Sequence, residues 1–217
     1  TPIYNSEQLG VTYYFSPLSV YSLGMVNHGH DYGDERGVSK HMHCHVYHKG
    51  VGKKGANNVS SLILKTLRLL NLLREDSVGG ELNIVFDNCS GQNKNNTVLK
   101  LAAWIMAMGY FKVVNFIFLV VGHTKNSADR LFNSLKGEYR RQNIFTMEDL
   151  VFQLNVSTSV MVIMTSRDSF LGYDMLLKDM CIDLAGKVKH NHIFLCSGND
   201  LTSVSMYLRQ SNLDEHT

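Results

Sequence analysis

Apolar residues recur along this chain with two periods. Residues 58–73, NVSSLILKTLRLLNLL, place Val59, Leu62, Ile63, Leu67, Leu70 and Leu73 at three- and four-residue steps. That is one stripe of an amphipathic helix, which Asn57 or Asn58 can cap. Residues 127–141, SADRLFNSLKGEYRR, have Ser127 as an N-cap and set Leu131, Leu135 and Tyr139 on one face. The stretch 97–110, TVLKLAAWIMAMGY, is apolar nearly all round and reads as a core helix ending near Gly109, with Trp104 and its methionine neighbours inside. A further helix is expected over 167–180, capped by Ser166. The strand signals are shorter. ELNIVFD (81–87), VVNFIFLVV (113–121) and VMVIM (160–164) are apolar runs, and the first reads as buried on both faces and central in a sheet. Aromatic and β-branched stretches at 11–27, 41–48, 192–196 and 201–208 predict the remaining strands.

Strands joined through helices usually lie parallel, with right-handed crossovers. An early antiparallel stretch followed by helices alternating with strands predicts an α/β fold: a mixed sheet with helices on both faces, the order expected of a ribonuclease-H-like domain. A Rossmann-like sheet is the rival, but no glycine fingerprint follows any strand. No Pro/Gly/Ser-rich linker divides the chain, so 1–217 reads as a single domain with a core at 11–141 and an extension at 142–217.

Composition narrows this only a little. With 217 residues, 44% hydrophobic and 18% charged, the chain is long enough for a sizeable core. A net charge of +2 is too mild to identify a polyanionic partner by itself. Cys44, Cys89, Cys181 and Cys196 have no short pairing spacing and no signal peptide precedes them, which predicts a reduced, intracellular protein. The sequons at Asn58, Asn88 and Asn95 need a secretory route to matter. No apolar run reaches the roughly 18 residues of a membrane helix, so no membrane association is expected. The chain begins without methionine and is expected to be a fragment of a longer protein.

Candidate chemistry gathers around residues 82–96, LNIVFDNCSGQNKNN, where an apolar run ends on Asp87 and a long polar loop follows. Asp129 falls in the first turn of the helix after the next strand. Carboxyl ends of adjacent parallel strands face one crevice, so the two carboxylates are candidates to hold Mg²⁺ or Mn²⁺, hard cations that take oxygen ligands. Two such ions about 4 Å apart can flank a phosphodiester. Equally, Asp87 can be a turn former and Asp129 a partner of its helix dipole. His123 can orient Asp129, bind phosphate or take a proton, or be a buried histidine bonded to backbone. Asn88, Gln92 and Asn93 can contact phosphates or bases, or satisfy the loop backbone. Lys49, Lys53 and Lys54, in a glycine-rich loop, are candidates for a DNA backbone, as are Lys125, Arg130, Lys136, Arg140 and Arg141, which can equally form a solvated helix face. HMHCHVYH, 41–48, sets His41, His43 and His45 on one side of a strand and Cys44 on the other: a zinc site or a half-exposed histidine-rich strand.

FDNCSGQNKNN at 86–96, followed by FLVVGHTKNSADRLF at 118–132, resembles the core of a eukaryotic family of uncharacterised transposon-derived domains related to DDE-type transposases. YYFSPLSVYSLGMVN and HVYHKGVGKKGANNVSSLI resemble the segments preceding that core, and a weaker likeness continues to HNHIF at 190–194. The resemblance implies a ribonuclease-H-like fold and an ancestral metal-dependent cleavage or strand transfer on DNA, in an intracellular and nuclear setting. It also implies an acid on a first strand, shortly before the segment matching TPIYNSEQ. Glu7 lies in a polar stretch, and Asp31, Asp34 and Glu35 come at the wrong place in the order. Either the chain is cut just after its first ligand or the copy has decayed to a catalytically inactive nucleic-acid- or protein-binding module.

Overall fold

The computed structural model describes residues 18–28, 32–33, 39–74, 80–120, 127–141, 144–184, 188–200 and 203–209. The chain divides into two compact units, each built from two stretches of sequence: 1–53 with 125–169, and 54–124 with 170–217. The architecture is α/β, with two mixed sheets, a short two-stranded ribbon and five α-helices among the described residues.

In the first unit β1 (Val20–Val26), β4 (Met42–His48) and β7 (Val160–Met164) form a sheet in the order β1-β4-β7. β1 runs antiparallel to β4, as the early antiparallel stretch predicts, and β7 runs parallel to it. The ribbon pairs β2 (Tyr32–Gly33) with β3 (Ser39–Lys40). Met42, Cys44 and Val46 point to one face, where they meet Leu135 of α3 (Ser127–Tyr139) and Leu150 and Leu154 of α4 (Met147–Ser157). Leu131 and Tyr139 join Leu135 on that packing face, as their spacing predicts. Gly24 is required by the same packing: a Cβ there would stand 2.7 Å from both Met42 Sδ and Phe132 Cζ.

Three sequence expectations change in this unit. β4 is central, so Met42 to Tyr47 are buried on both faces, and the half-exposed histidine strand is overturned. His43 and His45 are buried while His41 is exposed. α4 was not anticipated, although Thr146 and Asp149 form a full capping box; Phe152 and Val156 stay exposed and blur its apolar stripe. Lys40, 2% exposed, was also not foreseen. Its ammonium donates to the carbonyls of Thr158 at 2.6 Å and Asn155 at 2.9 Å, placing a cation at the C-terminal end of α4 where the helix dipole favours one.

In the second unit β5 (Glu81–Phe86), β6 (Val113–Phe118), β8 (Ile193–Asp200) and β9 (Ser203–Arg209) form a sheet in that order. β5 and β6 are parallel with Phe86 opposite Phe118, while β8 and β9 are antiparallel additions. α2 (Asn96–Ala107) packs on β6, β8 and β9, and α1 (Ala56–Leu69) and α5 (Tyr173–Lys178) pack on α2. Phe86, Phe116, Phe118 and Phe194 form an aromatic cluster beneath α2, Phe86 and Phe118 stacking with centroids 5.1 Å apart. Among the described residues β5 is the end strand of this sheet and not its centre: Leu82 and Phe86 are buried, but Glu81, Asn83 and Val85 are exposed. Asn57 does not cap α1. The cap position is Gly55, and the Asn57 side chain instead exchanges two hydrogen bonds with Asp174. The helix expected over 167–180 breaks into a 3-10 turn, Arg167–Ser169, and α5 behind Gly172, with no role for Ser166 as its cap. Met108, expected in the core, is half exposed at the end of α2.

Candidate functional site

β5 ends at Phe86, which is held from below by the aromatic cluster and alongside by the Leu119 N–H on its carbonyl, 2.9 Å away. Asp87 is therefore presented from a fixed strand end, at the carboxyl edge of two parallel strands, and its side chain is exposed. Among the described residues its hydrogen-bond partner is the Asn93 amide, which donates to Oδ1, and no lysine or arginine stands within ion-pair distance.

The polar loop that follows is a tight structure. The Cys89 carbonyl accepts from the backbone N–H groups of Gln92, Asn93 and Lys94 at 3.2, 2.8 and 3.1 Å. Asn95 is the N-cap of α2: its side chain accepts from the Val98 N–H at 3.1 Å and donates to the Gln92 carbonyl at 3.0 Å. A residue capping a helix and closing the preceding turn at once explains why the loop needs asparagine there. Asn93 is buried, 8% exposed, whereas Asn88 and Gln92 are half-buried.

Lys94 is the residue that sequence reasoning passed over. It is 5% exposed, with its ammonium 3.0 Å from the Lys189 carbonyl and over the Phe118 ring at 5.8 Å from the centroid. Burial pushes its pKa below the ordinary lysine value. It ties the loop to the turn that leads into the HNHIF segment and β8. A lysine among asparagines reads as solvated, and nothing in one sequence signals this burial.

Asp129 lies in the first turn of α3, as expected, and is exposed, but it belongs to the first unit while Asp87 belongs to the second. His123 lies outside the described residues, as do Glu7, Asp31, Asp34 and Glu35. Lys49 and Lys53 are exposed in the first unit, on a turn shaped by the Gly50 N–H donating to His48 Nδ1 at 3.1 Å and by Arg167 donating to the Gly50 carbonyl at 3.2 Å. Lys54, also exposed, is the first residue of the second unit. On β4 the burial of His43 lowers its pKa and that of Cys44 raises its thiol to about 12, so both are neutral near pH 7. No group of three or more His, Cys, Asp or Glu side chains arranged to hold a metal ion occurs among the described residues. No helix there is long and apolar enough to cross a membrane.

A model of a family of domains of unknown function, DUF7869, matches residues 14–214. No curated protein and no solved structure matches the chain.

Proposed function

The chain belongs to that DUF7869 family, and on this premise we propose that it is a transposase- or integrase-like domain of ribonuclease-H-like ancestry, acting on DNA phosphodiesters with Mg²⁺ or Mn²⁺. The observation that carries the reading is Asp87: an exposed carboxylate at the carboxyl edge of parallel strands, oriented by a neutral donor and with no ion-pairing lysine or arginine among the described residues. An exposed carboxylate oxygen suits a hard divalent cation, which when bound would stabilise the attacking and leaving oxygens of a displacement.

In this reading Asp87 is the ligand that the geometry supports, and Asp129, with His123 to assist it, is a second ligand drawn from the sequence and tested separately. Asn88, Gln92, Lys49, Lys53 and Lys54 contact the nucleic acid, the lysines through phosphate charge alone. A nuclear site of action follows from a DNA substrate. The residues present fit the metal only as a ligand set of oxygen donors, and the remaining positions fall to water and phosphate.

The test is Mn²⁺-dependent nicking of supercoiled DNA by the full-length protein, compared with Asp87→Ala and Asp129→Ala. Nicking that both substitutions abolish is the expected result. Equal activity in all three, or none in the parent protein, overturns the enzymatic reading and leaves a binding module. A loss in Asp87→Ala with none in Asp129→Ala removes Asp129 from the ligand set.

A further inference from the structure

We infer that Asn93 is a positioning residue for the Asp87 carboxylate and not a contact to nucleic acid. The inference deepens the metal-site reading above and rests on it for its purpose, though not for its geometry.

The amide is poorly placed to reach a polymer. Asn93 is 8% exposed, its backbone N–H is tied to the Cys89 carbonyl at 2.8 Å, and its side-chain nitrogen donates to Asp87 Oδ1. Its position is set from both sides. Gln92 and Lys94 share the same Cys89 acceptor, Lys94 is anchored on Lys189, and Asn95 begins α2. The donor thus comes from a preorganised turn, while the acceptor is an exposed aspartate that would otherwise turn freely about its side-chain bonds.

Asn93 Oδ1 has no hydrogen-bond partner among the described residues, so the amide's one polar contact through its side chain there is the bond that Nδ2 donates to Asp87. A neutral amide also differs from a lysine or arginine in the same place. It fixes one carboxylate oxygen without cancelling the charge, so the other oxygen keeps its full attraction for a cation. Partners of this sort orient metal-ligating side chains in general, and their loss typically weakens metal binding tenfold to a hundredfold.

The experiment uses isotope-labelled full chain and two readouts. Three-bond couplings to the Asp87 carboxyl carbon report its χ1 rotamer in metal-free protein, and loss of the free Mn²⁺ electron-spin signal reports metal affinity. Asn93→Leu, which keeps the volume and removes the donor, is compared with the parent, and Asn93→Ala serves in its place if the leucine variant fails to fold. The expected result is one Asp87 rotamer in the parent, averaging in the variant, and Mn²⁺ affinity about tenfold weaker, with the melting temperature held. A single rotamer that survives the substitution overturns the inference, and so does averaging already present in the parent. Averaging in the variant with unchanged Mn²⁺ affinity also overturns it. If the parent binds no Mn²⁺ yet the rotamer is lost in the variant, the orienting contact stands and the metal-site reading above is what fails.

Discussion

Among the described residues strand β7 ends the sheet of the first unit, and the outward backbone groups of its central residue, Val162, are both met by one side chain. Asn155 of α4 donates to the Val162 carbonyl at 2.7 Å and accepts from the Val162 N–H at 2.9 Å, imitating a neighbouring strand. Val162 is 3% exposed, so its backbone groups depend on the side chain that covers them. In a parallel ladder one residue in two turns both backbone groups outward, and Val162 is one of these on β7. Asn155→Ala strands both groups. Each buried unsatisfied group costs about 1–3 kcal/mol, so the loss is on the order of 3 kcal/mol. With a urea dependence of about 2 kcal/mol per molar, the midpoint falls by roughly 1.5 M. Trp104 is the chain's one tryptophan and sits in α2 of the other unit, so far-UV circular dichroism is the better global probe here. Hydrogen exchange at the Val162 amide is the direct one: protection is lost in Asn155→Ala and retained in Asn155→Asp, which keeps the acceptor and loses the donor. A midpoint change under about 0.3 M, or unchanged Val162 exchange in Asn155→Ala, refutes the edge-closing role.

Two further predictions concern pH. Burial lowers the His43 pKa below 6.5, so between that value and the lowered one the unfolded chain binds the proton more readily. The stability His43 contributes is present above pH 6.5 and is lost as pH falls through the folded value; denaturant titrations at pH 7 and pH 5 show a smaller decline in His43→Phe. Lys94 has the same direction of shift from a higher starting point, 10.5. Below that pH the unfolded chain holds more protons, so stability rises as pH increases from the lowered value towards 10.5. Lys94→Met flattens that rise in urea melts between pH 8 and pH 10, and an unchanged slope refutes the burial argument.

Much of the local structure was legible in the sequence. The stripes of α1 and α3 announce themselves because a helix face is written every three or four residues, and both Leu67 and Leu135 are buried where that spacing puts them. The parallel pairing of β5 and β6, with Asp87 at its carboxyl edge, followed from strand order and crossover chemistry. Where periodicity was weak, the reading failed for identifiable reasons. Val85 made β5 look buried on both faces, yet it is more than half exposed, because an end strand can carry one apolar residue outward at little cost. The histidines of β4 read as a half-exposed strand because imidazole is polar, and nothing local says that a strand has neighbours on both sides.

The sequence by itself determined the α/β class, most of the elements, and the position of Asp87 at a strand end, since each depends on residues a few positions apart. Only the tertiary structure decided that β4 is central, that Lys40 lies inside against carbonyls 115 and 118 residues away, and that Lys94 is buried against Lys189. Those outcomes depend on what desolvation costs a particular group and which distant backbone atoms compensate it. Asn93 lies between the two cases: it is six residues from Asp87, but whether a six-residue turn brings an amide back to a carboxylate is decided by how the Cys89 carbonyl and the start of α2 fold the loop.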